Sequence, residues 1–266
     1  MGQLAVILPA AGRSTRFGDP SQKKVYAELE GRAVWLRALD PFLTHGDVEQ
    51  IIVAIAPEDR ALFDRRYRDK VAFLNIEVIE GGDERADTIA RALERLRPAC
   101  ELVAIHDAAR PCLTDDLATA VIAAGREHGA ALLAIPVRDT IKRSGEDGRS
   151  VGTVSRDGLY LAQTPQVFRR DWLEEAYARR DRDAPTATDD SQLVEALGHR
   201  CVLVPSTAYN LKITAPEDLR LAAAVLEIQS GRGRDRDRES SAHPFVDESS
   251  AWADLPRLDP DELFGP

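Results

Sequence analysis

The chain has little cysteine. Cys100, Cys112 and Cys201 are its only three, far apart in 266 residues. Such spacing excludes a disulfide frame and a zinc knuckle and points to reduced thiols. Positive charge is also short: 35 Lys and Arg stand against 45 Asp and Glu, a formal net charge of −10. General binding to nucleic acid or to an anionic membrane is therefore not expected. Any anionic ligand has to be met by a local cluster of cations. No apolar run approaches the ~18 residues of a membrane-spanning helix. The N-terminus passes straight into Leu4–Leu8 without a basic leader or cleavage site, so no signal peptide is expected and a cytoplasmic setting is. Two glycine fingerprints are missing as well. There is no G-x-x-x-x-G-K-[ST], and the Gly12 region does not space as G-x-G-x-x-G. The second absence removes the dehydrogenase reading that an α/β fold alone would permit.

What is present begins with that first apolar run, LAVIL, which reads as a short buried strand. It breaks at Pro9 and continues as Ala10–Ala11–Gly12, small residues that let a backbone approach a ligand and offer N–H groups to phosphate. Arg13, Arg16, Lys23 and Lys24 then put four cations into twelve residues. An early strand, a small-residue loop and clustered cations together suggest a nucleoside triphosphate site. The competing reading is a basic surface loop.

Strands and helices then alternate. The chain gives a helix over Val34–Leu43, a strand over Gln50–Ala56 and a helix from Pro57–Asp59 to Lys70. A strand at Ile76–Ile79, a helix over Glu84–Leu96 and a strand at Leu102–Ile105 follow. Thr114 caps a helix ending near Gly125, and Ala131–Val137 is a fifth strand. Continuous apolar strands of this kind belong to a parallel sheet covered on both faces. From Arg138 to Gln163 the chain turns polar. Alternating residues flank Gly145–Gly148, which predicts a projecting hairpin; so long a hairpin needs something to pack on, and a second subunit is the simplest choice. Helices over Asp171–Arg180 and Asp189–Leu197, a strand at Cys201–Val204 and a helix over Pro216–Ile228 complete the pattern. Beyond Ser230 the mixed-charge GRGRDRDRESS predicts disorder.

In a parallel α/β sheet, ligands bind beyond the carboxyl ends of the strands. After the third strand comes Gly81–Gly82–Asp83–Glu84–Arg85, where Asp83 and Thr88 can meet a base edge; a plain turn and helix cap is the alternative. After the fourth comes His106–Asp107–Ala108–Ala109–Arg110. Asp107 suits Mg²⁺, a hard ion that takes oxygen ligands, unless it merely caps the next turn. Arg110 offers a fork to a phosphate. His106 has no Cys or His partner at zinc spacing.

Taken together, LPAAGRSTRFG, GGDERADT, IHDAARPC, PVRDTIKR, TPQVF, ATDDSQLVE and YNLKITAPEDL resemble the 2-C-methyl-D-erythritol 4-phosphate cytidylyltransferase family over about residues 3 to 228. The resemblance implies an α/β fold: a Rossmann-like nucleotidyltransferase core over 1–229 with a mostly parallel sheet, a projecting β-hairpin arm about 138–163, and a tail over 230–266 outside the family pattern. It implies transfer of CMP from CTP to methylerythritol phosphate with release of pyrophosphate, Mg²⁺ or another divalent cation, and a homodimer made through the arm. Arg16, Lys23 and Lys212 would stabilise the reacting phosphates. Pro9, Ala10, Ala11 and Gly12, with Gly82, Asp83, Thr88 and Ala108, would line the cytidine pocket. Asp107 would meet the metal or the ribose–phosphate region. Arg110, Thr140, Arg156 and Thr164 would hold the methylerythritol phosphate, Thr140 and Arg156 reaching in from the partner. Three motifs depart from the family pattern: Ser14 replaces a glycine, Thr88 replaces a serine, and Gln22–Lys23–Lys24 replaces Pro-Lys-Gln, which leaves Lys24 an alternative to Lys23. A related cytidylyltransferase for ribitol 5-phosphate and a non-catalytic nucleotide-binding relative are the competing readings.

Overall fold

A computed structural model of the chain describes residues 3–12, 23–180 and 187–231. Strand β1 (Gln3–Pro9) is followed by a 3-10 turn at Lys24–Tyr26, a small ribbon of β2 (Glu28–Leu29) and β3 (Arg32–Ala33), and helix α1 (Val34–Leu43). Next come β4 (Val48–Ile55), α2 (Arg60–Phe73), β5 (Ile76–Glu80), α3 (Arg85–Leu93), β6 (Cys100–Ile105), α4 (Asp115–His128) and β7 (Ala130–Pro136). A hairpin of β8 (Ile141–Ser144) and β9 (Ser150–Val154) leads to β10 (Tyr160–Arg169), α5 (Arg170–Ala178), α6 (Asp190–Ala196), β11 (Val202–Pro205) and α7 (Asp218–Gln229).

Seven strands form one sheet in the order β11-β7-β10-β6-β1-β4-β5. Every neighbouring pair is parallel except the two made by β10, which runs antiparallel between β6 and β7. The sheet is thus mixed and mostly parallel. Alternate residues of β1 explain its unbroken apolar run. Leu4, Val6 and Leu8 pack with Trp35, Phe42, Phe63 and Val121 from α1, α2 and α4. Ala5 and Ile7 pack on the opposite face with Ile89, Leu173 and Val194 from α3, α5 and α6. A strand buried on both faces has no polar side to display.

Strand β10 is absent from the expectations above. Its sequence, YLAQTPQVFR, is half polar and carries Pro165, and an internal proline argues against a strand. The sheet accommodates it: pairing with β7 shifts between Ala162 and Gln166, so the residue without an N–H falls in the break. The arm is consequently shorter than expected. Its paired strands lie within Ile141–Val154, and Tyr160–Gln163 belongs to the central sheet. The turn is closed by Gly145 N donating to Arg149 O at 2.8 Å, with Gly148 at φ +75°. Helix α4 begins as expected, Thr114 accepting from Leu117 N, and runs one turn longer, to His128. Helix α3 stops at Leu93, short of Leu96.

The chain divides into two compact units, Met1–Val225 and Leu226–Pro266. The first holds the whole sheet. Of the second, only residues 226–231 are described, so the expected disordered tail lies outside the described residues.

Candidate active site

Strand order reverses beside β1. The chain steps outward from β1 to β4 and β5, then crosses back to β6 on the other side. The carboxyl ends of β1 and β6 therefore flank the switch point where such sheets open a crevice. Backbone bonds tie the loops above it to one edge. Ala10 N donates to Ala54 O at 2.7 Å, Gly81 N to Ile55 O at 2.7 Å, and His106 N to Ile7 O at 3.0 Å. Between these loops lies a cleft of about 320 Å³.

Two small-residue loops make one wall. Pro9, Ala10, Ala11 and Gly12 face the cleft from β1, and Gly81, Gly82 and Asp83 from β5. The glycines are required by the protein itself. A Cβ on Gly81 would stand 2.5 Å from Ala11 Cβ, and one on Gly82 would stand 2.4 Å from Asp87 Cβ. Thr88 locks this loop: its hydroxyl accepts from Gly82 N and donates to Glu84 O, both at 3.0 Å. Arg91 holds the loop from below, Nη1 donating to Gly81 O at 2.7 Å. Among the described residues, nothing lies within 4 Å of a Cβ built on Gly12.

The opposite wall is charged. Asp107 stands two residues past the end of β6 and meets three cations: Lys212 Nζ at 2.9 Å, Arg110 Nε at 3.5 Å and Arg85 Nε at 3.9 Å. Burial alone would push this carboxyl up, but Lys212, Arg85 and Arg110 outweigh it and hold the group well below the usual carboxylate range. Its backbone is fixed too: Asp107 N donates to Thr164 Oγ1 at 2.9 Å, and that hydroxyl meets His106 Nδ1 at 3.1 Å. Burial lowers His106 to about 4, so the imidazole is neutral and structural. Arg85 is aimed from beneath by Asp190, which is fully buried and takes Nη1 and Nη2 at 2.9 and 2.6 Å. Burial works against the Arg85 charge, and Asp190 overrides it and raises the group above its ordinary value. Tyr177 Oη donates to the same carboxylate at 2.5 Å. Among the described residues, no group of three or more His, Cys, Asp or Glu side chains is placed to hold a metal. Asp107, ionised and facing the cleft, offers a single carboxylate.

Lys23 and Lys24 part company here. Lys23 Nζ is taken by Glu58 Oε1 at 2.9 Å and Asp59 Oδ2 at 2.7 Å. Asp59 Oδ2 also accepts from Tyr26 Oη at 3.0 Å. Lys24 lines the cleft.

The expected site residues fall into three groups. Pro9, Ala10, Ala11, Gly12, Gly82, Asp83, Thr88, Asp107, Ala108 and Lys212 all line the cleft. Arg110 and Thr164 are buried behind it, Arg110 Nη1 donating to Asn210 O at 2.7 Å. Thr140 and Arg156 are exposed at the arm, with Arg156 Nη1 bonded to Arg138 O. Arg16 lies outside the described residues. Sequence reasoning passed over Arg85, Arg91 and Asp190. Arg85 stands inside the quoted GGDER, but the partner that aims it is 105 positions away; no local spacing signals such a pair.

The comparisons with known proteins agree with the geometry. The model of the family described as 2-C-methyl-D-erythritol 4-phosphate cytidylyltransferase matches residues 4–228. A protein of that name from Rhodopirellula baltica is 45% identical over 238 residues, spanning 84% of this chain and 94% of the relative. Another, from Pelotomaculum thermopropionicum, is 36% identical over 87% of this chain and 98% of the relative. A crystal structure of 4-diphosphocytidyl-2C-methyl-D-erythritol synthase from Anaerococcus prevotii superposes with TM-score 0.73 at 30% identity, over 85% of this chain and 96% of that one.

Proposed function

Because this chain belongs to the 2-C-methyl-D-erythritol 4-phosphate cytidylyltransferase family, we propose that the cleft beyond β1, β5 and β6 is where its two substrates meet. The enzyme transfers CMP from CTP to 2-C-methyl-D-erythritol 4-phosphate, giving 4-diphosphocytidyl-2-C-methyl-D-erythritol and pyrophosphate, a step of the non-mevalonate isoprenoid pathway. One observation carries the assignment of the site: Asp107, Lys212 and Arg85 line the same cleft that two small-residue loops narrow, with Arg110 paired to Asp107 from behind it.

The chemistry needs little from the protein beyond placement and charge. A phosphate oxygen of methylerythritol phosphate forms a bond to the α-phosphorus of CTP, and the bond from that phosphorus to the β-phosphate oxygen breaks. The nucleophile is already an anion, so no general base is required. The barrier lies in bringing two polyanions together and stabilising the charge that builds on the α-phosphate. Pro9–Gly12 and Gly81–Thr88 hold the cytidine. Arg16 and Lys24 take the triphosphate; Lys24 is preferred to Lys23 because it lines the cleft while Lys23 is neutralised by Glu58 and Asp59. Lys212 stands where the α-phosphate reacts. Mg²⁺ fits beside Asp107, since that ion is held by one or two carboxylates together with substrate phosphates and waters. When bound, it neutralises phosphate charge; another divalent ion of similar chemistry is the alternative.

The methylerythritol phosphate site is completed from a second copy. Arg110 backs the site, and Thr164 sets the backbone of Asp107. Thr140 and Arg156 stand on the exposed arm, away from the cleft lining. Val151, Leu159, Tyr160 and Leu161 expose apolar surface along the arm and its base, which suits burial in a homodimer. A cytoplasmic setting completes the reading; three cysteines outside any disulfide, two of them buried, suit a reducing compartment.

Pyrophosphate release tests the site. Wild-type protein with CTP, Mg²⁺ and methylerythritol phosphate turns over, and ribitol 5-phosphate in its place does not. Lys212→Ala lowers kcat about 10²–10³-fold. An unchanged kcat in that variant would remove the assignment of the cleft.

A further inference from the structure

Lys212 is carried by a segment without helix or strand, between β11 and α7, and its side chain is 42% exposed. A flexible ammonium in such a place is ordinarily spread over many rotamers and aimed at nothing. Here its Nζ is 2.9 Å from Asp107 Oδ2. The cause lies two residues earlier. Asn210 is 0% exposed, and its Nδ2 donates to Gln163 Oε1 at 3.0 Å and to Thr164 O at 2.9 Å. The two acceptors fix which way the amide points. Gln163 is held in turn: its Oε1 accepts from Ser206 Oγ at 2.8 Å, and its Nε2 donates to Thr207 O at 3.2 Å. The Asn210 backbone carbonyl accepts from Arg110 Nη1 at 2.7 Å, and Ile213 N donates to Ala109 O at 2.8 Å. The chain is thus pinned on both sides of Lys212 to β10, to Gln163 and Thr164, and to the loop that bears Asp107.

We infer that Asn210, clasped by Gln163 and Thr164, is the positioning residue for Lys212: it sets the backbone from which the ammonium reaches Asp107 and the reacting phosphate. The inference rests on the role proposed for Lys212 above. It differs from a merely structural role in one respect. A structural residue lowers activity through folding, whatever stands at 212. A positioning residue acts through Lys212 and loses its effect when Lys212 is gone.

The test is a double-mutant cycle on kcat for pyrophosphate release, with the thermal midpoint of each variant recorded and rates taken well below it. Asn210→Ala in the chain with Lys212 lowers kcat about 10–10²-fold, the cost expected for a displacement of about 1 Å at a reacting group. In the Lys212→Ala chain the same change lowers kcat at most about twofold. Equal losses in both backgrounds would overturn the inference, as would an Asn210→Ala enzyme with wild-type kcat. If Asn210→Ala does not fold, Gln163→Ala runs the same cycle, since it removes one of the two acceptors and leaves Thr164 O. Should Lys212→Ala itself keep full kcat, the role of Lys212 fails and the clasp falls with it. A strong loss in Lys212→Ala together with equal Asn210→Ala losses in both backgrounds overturns the clasp alone.

Discussion

Lys23 and Lys24 are adjacent and chemically identical, but Lys23 is ion-paired with Glu58 and Asp59 while Lys24 lines the cleft, so replacing each by alanine tests whether stability and catalysis separate between them. The Lys23 side chain is 14% exposed and pairs with Asp59, 11% exposed, and with Glu58, 64% exposed. The Glu58 contact is screened by solvent and contributes at most about 1 kcal/mol. The Asp59 contact lies between the surface and buried cases, so stranding that carboxylate costs about 2 kcal/mol. Tyr26 Oη still donates to Asp59, which keeps the loss below that of a naked buried charge. The sum is about 2–3 kcal/mol, and at about 2–4 °C per kcal/mol for a domain of this size the midpoint falls by roughly 5–10 °C. Lys23→Ala therefore melts early and, at 25 °C, turns over at close to the wild-type kcat. Lys24→Ala loses about 10²-fold in kcat, the cost of one well-placed cationic donor. Calorimetry and pyrophosphate release on the same preparations read both quantities. A normal midpoint with a collapsed kcat in Lys23→Ala, beside an active Lys24→Ala, would refute the reasoning.

Two further outcomes follow from contacts at the site and behind it. Gly81→Ala drives a Cβ to 2.5 Å from Ala11 Cβ and 2.9 Å from Thr88 Oγ1, so the two loops that narrow the cleft must separate; KM for CTP rises by about tenfold or more while the fold survives, read by steady-state kinetics. Asp218 Oδ2 accepts from Thr214 N at 2.7 Å, Ala215 N at 2.9 Å and Thr214 Oγ1 at 2.8 Å. These bonds hold its carboxyl below the ordinary value of 3.8. Its folded value is the lower one, so its stabilisation is complete above the ordinary 3.8 and is lost as pH falls through the folded value. Unfolding free energies of Asp218→Asn and wild type from urea titration are expected to differ by about 1–2 kcal/mol at pH 7 and to converge at acid pH.

Much of the fold was legible because buried strands cannot hide. LAVIL, QIIVAIA and LVAI are apolar throughout, since both of their faces are covered. Strand β10 was not legible, because the same chain must be polar at Gln163, Thr164 and Gln166 to hold Asn210, His106 and the start of α6. Its polarity serves the site, and that disguised it as a loop. The site shows the same division. Asp107 and Lys212 could be named from their neighbours in sequence, and the cleft brings them within 2.9 Å. Asp190 could not, because its meaning lies in Arg85, and neither residue signals the other along the chain. The difference between Lys23 and Lys24 was also closed to sequence: the ion pairs of Lys23 with Glu58 and Asp59 reach 35 and 36 positions along the chain.

The most direct test of the account asks whether one cleft is completed by another chain's arm. Lys212→Ala and Arg156→Ala proteins, each inactive alone, are mixed in equal amounts, allowed to exchange subunits, and assayed for pyrophosphate release. If the arm serves the partner, half the dimers are mixed and each mixed dimer carries one intact site, so activity returns to about one quarter of wild type. If the mixture stays as inactive as its components while exchange is confirmed, each arm serves its own chain and the shared site is wrong.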